Sequence, residues 1–275
     1  YIKEKIGEEY LIPLLGVWDK VDDIDFDSLP NQFVLKTNWG AGQVIIVRDK
    51  TKINIEETKN KLKYWMQPFC NLYYYYSFEW QYKYIPPKII CEKYIEQSNN
   101  QVYDYKVFCF NGKGRYIQVD MDRFIGHKRC IYDTNWNKQQ FITGNFQFYS
   151  GHINKPYHLD SMIKISEKLA KNFSHVRVDF YEVNNKLFLG ELTFTHGNGM
   201  ERFSIEEWDY KFGELLELPK EKKIEYDILD KDTLFKQVYD LEPISRRYRD
   251  IEIQLNKQNA ILKNSNIEKL NREIS

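Results

Sequence analysis

The sequence predicts an α+β protein whose sheets are mostly antiparallel and flanked by helices, and three observations carry that expectation. Asn111-Gly112 and Asn184-Asn185 each separate two apolar, alternating runs, and such residue pairs favour the backbone of tight hairpin turns. Strands follow one another from 89 to 119 without an intervening helical pattern, which suits a meander rather than an alternating parallel fold. A large core is available, because aromatic residues make up 16% of the 275 positions while Gly and Pro number only 13 and 8. That balance excludes disorder and collagen-like repeats.

Element by element, residues 1–17 mix charge with Ile6, Tyr10, Leu11 and Leu14, and an acidic connector over 19–27 leads to Pro30. Beyond that proline, 32–35 reads as a strand stopping at Lys36, 39–42 as a glycine loop and 43–48 as a second strand. Residues 55–66 have helical spacing at Ile55, Leu62, Trp65 and Met66, behind an acidic first turn of Glu56 and Glu57 that suits the positive end of a helix dipole. The aromatic stretch 70–80 is read as packing against the sheet and is assigned no ligand. Strands are expected over 89–95, 105–110 and 115–119, a helix over 162–173, paired strands over 175–183 and 186–192, and a further helix over 205–216 with Ser204 as N-cap candidate. After Pro219, Ile244, Tyr248, Ile251, Leu255 and Leu262 follow heptad-like spacing broken at Gln258. A terminal helix packed on the domain and an oligomerisation helix both fit that tail.

Forty basic side chains balance forty acidic ones, so the net charge is zero and the simplest argument for a nucleic-acid partner is absent. With a mean hydropathy of −0.64 and no long uncharged apolar run, no membrane span is expected. The cysteines Cys70, Cys91, Cys109 and Cys130 form no CxxC pair, which points to reduced thiols and a cytoplasmic setting. Opening at Tyr1 in a charged, helix-like stretch, the chain reads as a piece of a longer protein.

Three constellations carry chemistry. Lys36 ends a strand before Gly40, Ala41, Gly42 and Gln43, where glycines let backbone N–H groups approach an anion, although the P-loop spacing is missing. Glu92, Tyr94 and Ile95 end another strand, so one carboxylate and backbone groups are presented together. Arg177 and Asp179 share a face of one strand, as do Glu191 and Thr193 on the next, and the turn at Asn184-Asn185 brings those faces into register. Two carboxylates then converge beside an arginine, an arrangement that suits a divalent cation and also suits a cross-strand salt bridge on a solvated face. A mixed cluster of Asp120, Asp122, Arg123, His127, Lys128 and Arg129 follows the strand ending at Val119. Arg123 is a candidate partner for a substrate carboxylate and Asp120 for an amine, while Lys128 and Arg129 are read as a solvated loop.

The order of these elements, with the segments KIGEEYLIPLLGVWD, FVLKTNWGAGQ, DYKVFCFNGK, IQVDMDRF, VRVDFYEVNNKLFLGELTFTHGNG and EEWDYKFGELL, resembles the TupA-like ATP-grasp proteins of bacterial cell-surface polysaccharide clusters. The resemblance spans 2–219. It implies an ATP-grasp fold of two subdomains: 1–30 as an N-terminal remnant or linker, 31–95 as the small subdomain, 96–219 as the large one and 220–275 as a helical extension. It further implies ATP and Mg²⁺ as cofactors. Lys36, Lys106 and the loop Gly40, Gly42 and Gln43 would meet the phosphates, Glu92, Tyr94 and Ile95 the adenine, and Asp104 the ribose. Asp179 and Glu191 would hold the metal, with Thr193 where most ATP-grasp enzymes carry asparagine. Arg177 would stabilise the transferring phosphoryl group, with Arg123 and His196 as further catalytic candidates. Asp120, Gly197 and Gly199 would face the substrate.

The activity implied by the resemblance is that of a carboxylate–amine ligase that forms an amide through an acyl phosphate, with a uronic acid and a small amine as partners in capsule or wall polysaccharide synthesis. Membership of such a family also suggests fusion to a glycosyltransferase in a larger chain. A phosphotransferase and an inactive nucleotide-binding scaffold are the alternatives.

Overall fold

The computed structural model describes residues 1–67, 79, 82, 85–95, 103–121 and 126–218. The chain divides into Tyr1–Pro219 and Lys220–Ser275. The second unit, with its heptad-like positions, lies outside the described residues, as do Arg123, Asp122 and most of the aromatic stretch 70–80.

A four-stranded antiparallel sheet comprises β1 (Leu14–Trp18), β2 (Phe33–Thr37), β3 (Val44–Val47) and β4 (Ile89–Lys93) in the order β1-β4-β2-β3. Alternation along β2 sends Phe33 and Leu35 to one face, where they meet Val47, Ile89 and Cys91. Leu62 of helix α2 (Ile55–Trp65) closes that core together with Val21, Ile24, Phe26 and Leu29. The helix starts at Asn54, whose side chain accepts the Glu57 N–H at 3.1 Å, and burying Leu62 contributes about 1.5–3 kcal/mol. Here the structure differs from the expected linker over 1–30. Residues Leu14–Trp18 pair with β4, and Val21 to Leu29 fill the core beneath. A short helix, α1 (Ile2–Ile6), joins instead the core that covers the larger sheet.

That larger, seven-stranded sheet contains β5 (Asp104–Phe110), β6 (Lys113–Met121), β7 (Lys128–Asp133), β8 (Lys138–Gln139), β9 (Gln147–Phe148), β10 (His175–Val183) and β11 (Lys186–Thr193). Its order is β11-β10-β5-β6-β7-β8, with β9 added parallel to β7. Asn111 and Gly112, with φ of 50° and 77°, make the β5–β6 turn, and Asn184 and Asn185, at 50° and 58°, make the β10–β11 turn, as their residue types predict. One face is apolar: Val107, Ile117, Val119, Val176, Val178 and Phe180 lie under Leu159, Met162 and Leu169 of α3 (Leu159–Ala170).

The opposite face is split. At one end Phe108, Phe110, Ile131 and Phe141 pack on Phe212 of α4 (Glu207–Glu214). At the other end the same alternation presents charged side chains. Ser204 does not cap α4, whose N-cap is Glu206; it ties to Ile142 instead, accepting the Ile142 N–H at 3.0 Å and donating its own N–H to the Ile142 carbonyl at 2.8 Å.

Candidate active site

Strand register assembles the charged end. Asp179 stands opposite Glu191 and Arg177 opposite Thr193, while on its other edge Asp179 stands opposite Lys106 of β5. The register shift after Asp179 leaves Gly190 as the extra residue of a bulge in β11, which lets the charged run end and the apolar hairpin tip continue in phase. One face therefore gathers Asp104, Lys106, Arg177, Asp179, Glu191 and Thr193.

Their side chains form one connected network. Lys106 Nζ donates to Asp104 Oδ2 and to Asp179 Oδ2, both at 2.6 Å. Arg177 grips Asp179 with both arms, Nε to Oδ1 at 2.8 Å and Nη2 to Oδ2 at 2.7 Å, and Nη2 also reaches Thr193 Oγ1 at 3.1 Å. The Thr193 hydroxyl donates in turn to Glu191 Oε1 at 2.7 Å. Burial alone would raise the Asp179 pKa, but Lys106 and Arg177 outweigh it and hold the carboxyl below the usual range. Burial likewise pulls on the Lys106 ammonium, and Asp179 and Asp104 overcome that and raise it. Ionised pairs at these distances are costly to bury unless every partner is present.

Asp104, expected at the ribose, holds Lys106 in this structure. It is 1% exposed and shares the Lys106 ammonium with Asp179. Thr193 does share the face of the two carboxylates. Two carboxylates and a hydroxyl are hard oxygen donors that fit magnesium completed by phosphate or water oxygens. Among the described residues no group of three or more His, Cys, Asp or Glu side chains is placed to hold a metal by itself.

On the smaller sheet, Lys36 of β2 pairs with Glu92 of β4 at 2.7 Å, both partly exposed. The glycine loop is closed at its neck: the Thr37 hydroxyl bonds the Gln43 side chain, and the Thr37 N–H reaches the Gln43 carbonyl at 3.3 Å. Gly40 and Gly42 lie between, Gly42 with φ 73°. Tyr94 accepts a hydrogen bond from Arg48 Nε at 3.1 Å, and Ile95 follows it. Tyr82, which the sequence did not single out, lies within electrostatic reach of Glu191. Burial first, then Glu191 and Glu79, push its phenol up to about 12.

The turn after β11 is unusual. Gly197, Asn198 and Gly199 have φ of 54°, 60° and 68°, three left-handed residues in succession. His196 at its start packs edge-on to Phe108 at 5.0 Å and beside His175 at 5.2 Å. Burial, then His175 and Arg177, push its pKa down to about 3. The ring, expected as a catalytic candidate, is neutral at ordinary pH and is a weak base.

Asp120, expected at the substrate, is 1% exposed. Its Oδ1 accepts Arg129 Nε at 2.7 Å and its Oδ2 accepts Arg129 Nη2 at 3.2 Å and Gln118 Nε2 at 3.0 Å, while His127 Nε2 lies 3.3 Å from Oδ1. Burial would raise its pKa, and Arg129 reverses the sign. Lys128 and Arg129 do not form a solvated loop: they open β7, and Arg129 is buried. The sequence signal for this strand was the apolar run Cys130, Ile131 and Tyr132, which the neighbouring charges obscured.

A family model described as TupA-like ATPgrasp matches residues 1–217. Among solved structures, a D-alanine–D-alanine ligase from Bacillus anthracis is similar at 18% identity and a TM-score of 0.43, covering 75% of this chain and 57% of its own. An N5-carboxyaminoimidazole synthase from Aspergillus clavatus is similar at 9% identity and TM-score 0.39, with 72% and 44% covered. D-alanyl-alanine synthetase A from Vibrio cholerae follows at 8% and 0.38, with 70% and 53% covered. The chain thus spans between 44% and 57% of the length of these three. No curated protein matches it.

Proposed function

The chain belongs to the TupA-like ATP-grasp family, and from that premise we propose that it uses ATP, with Mg²⁺, to join a carboxylate to an amine. The observation that carries this reading is the fixed triad of Lys106, Asp179 and Arg177, two cations locked about one buried carboxylate. Because Asp179 holds the Arg177 guanidinium in both arms, the cation needs little reorganisation when charge develops on a transferring phosphoryl group. Lys106 serves the same phosphates from the neighbouring strand. Lys36 and the loop Gly40, Gly42 and Gln43 meet the nucleotide from the smaller sheet, and Glu92, Tyr94 and Ile95 receive its base.

Asp179, Glu191 and Thr193 would hold magnesium, which supplies charge neutralisation to the phosphates when bound. In the first half-reaction a carboxylate oxygen attacks the γ-phosphorus and ADP leaves, giving an acyl phosphate. In the second, an amine attacks the acyl carbon, the C–O bond to phosphate breaks, and a proton is released with the phosphate. Backbone N–H groups of the turn His196–Gly199 are the donors suited to the oxyanion between these steps. Family context extends the reading to a uronic acid carboxyl, to capsule or wall polysaccharide synthesis and to a glycosyltransferase elsewhere in a longer chain.

An acid labelled with ¹⁸O in its carboxylate tests the chemistry. One label per turnover in the released phosphate is expected, and full retention of label in acid and amide would contradict an acyl phosphate. One observation favours a second reading: the Thr193 hydroxyl already serves both Arg177 and Glu191. A nucleotide-binding scaffold without turnover would show saturable MgATP binding and no ADP with any acid and amine.

A further inference from the structure

Three consecutive left-handed residues persist only where their surroundings over-determine them, because any residue with a Cβ is strained there. The turn Gly197–Gly199 supplies two glycines and an asparagine, yet that permissiveness also leaves it without intrinsic order. Beyond the backbone bond from the Met200 N–H to the Gly197 carbonyl at 3.0 Å, one side chain ties together the segments beside the turn. Arg129 Nη1 donates to the Thr143 carbonyl at 2.7 Å, to Thr143 Oγ1 at 3.1 Å and to Glu201 Oε1 at 2.7 Å, while Nε and Nη2 hold Asp120. The same guanidinium lies 3.9 Å above the Phe146 ring.

Thr143 and Glu201 belong to the two segments that staple the turn to the sheet. Thr143 bridges Phe203, and the Gly144 N–H reaches the Arg202 carbonyl at 2.8 Å. Glu201 itself is seated against one glycine of each segment: a Cβ on Gly144 would lie 2.5 Å from its Oε1, and one on Gly197 would lie 2.4 Å from its Cβ.

We propose that Arg129 is a positioning residue for the reaction, fixing the glycine turn to the Asp120 end of β6 through Glu201. Nε, Nη1 and Nη2 are each hydrogen-bonded within the set Asp120, Thr143 and Glu201, which assigns Arg129 to holding the turn rather than the substrate. This inference rests on the ligase reading for its effect on turnover, and on geometry alone for its effect on the turn.

The variants are Glu201→Ala, Glu201→Gln and Arg129→Lys in the full chain, compared by amide hydrogen exchange and by steady-state ADP release. Glu201→Ala removes the tie without stranding Asp120, so the fold survives even if Arg129→Lys does not. Exchange at 197–200 is expected to rise by about tenfold in Glu201→Ala while amides of β5 and β6 are unmoved. Its kcat is expected to fall by about 100-fold with the KM for ATP held within about threefold, and Glu201→Gln, which keeps an oxygen for Arg129, to recover most of the loss. Unchanged exchange at 197–200 would overturn the proposal, as would faster exchange with an undiminished kcat. A wild-type chain that releases no ADP would sink the ligase reading instead, and the exchange comparison would still decide whether Arg129 orders the turn.

Discussion

Asp179 and Glu191 face one another across β10 and β11, and only Asp179 is buried. Two acids of one site therefore differ in what they cost the fold. Asp179 is enclosed by Lys106 and Arg177, whereas Glu191 is exposed and touches its neighbours through Thr193.

Neutralising each acid separates function from stability. Glu191→Gln should remove turnover while the melting temperature stays near wild type. Asp179→Asn should remove turnover and also cost about 3–5 kcal/mol, since it leaves two cations without their shared partner. Thermal unfolding run beside ADP release checks both, and near-wild-type turnover in either variant would refute the metal assignment.

Lys106 is the counterpart case. Lys106→Met leaves Asp104 and Asp179 as buried acids lacking their common cation, with an expected loss of about 3–5 kcal/mol. Adding Asp104→Asn should return at least about 1 kcal/mol, because the two sites share one network. Strict additivity in a denaturant double-mutant cycle would show that the contacts are not coupled.

Acid should weaken the fold through His196 and His175. Burial, with help from Arg177, depresses both; His196 also feels His175 and lies at about 3. Above about 6.5, the unfolded value, neither folded nor unfolded chain holds the proton and stability is unaffected. Below it the unfolded chain takes up protons that the folded one refuses, so stability falls as pH drops from about 6.5 toward 3. For His196 this amounts to about 2 kcal/mol at pH 5. Melting curves of wild type and His196→Gln between pH 7 and 5 should show a shallower decline in the variant, and parallel declines would contradict the assignment.

The parts of this architecture governed by local chemistry were readable from the chain. Asn-Gly and Asn-Asn turns announced both hairpins, and period-two alternation was enough to place Arg177, Asp179, Glu191 and Thr193 on one face. Long-range pairing hid the rest. β1 escapes because Leu14, Leu15 and Val17 are apolar yet exposed, so its pattern carries no inside and outside. Lys106 sits between Asp104 and Asp179 only because β10 lies beside β5, which joins two residues 73 positions apart in the chain. Arg129 looks like one charge among several until Thr143 and Glu201 arrive from distant segments.

ADP release from MgATP, assayed against pairs of uronic acids and small amines with mass spectrometry of each mixture, tests the central claim most directly. The account predicts ADP only when an acid and an amine are both present, together with a product of the condensed mass. A phosphorylated product formed without amine, or MgATP binding with no ADP from any pair, would contradict it.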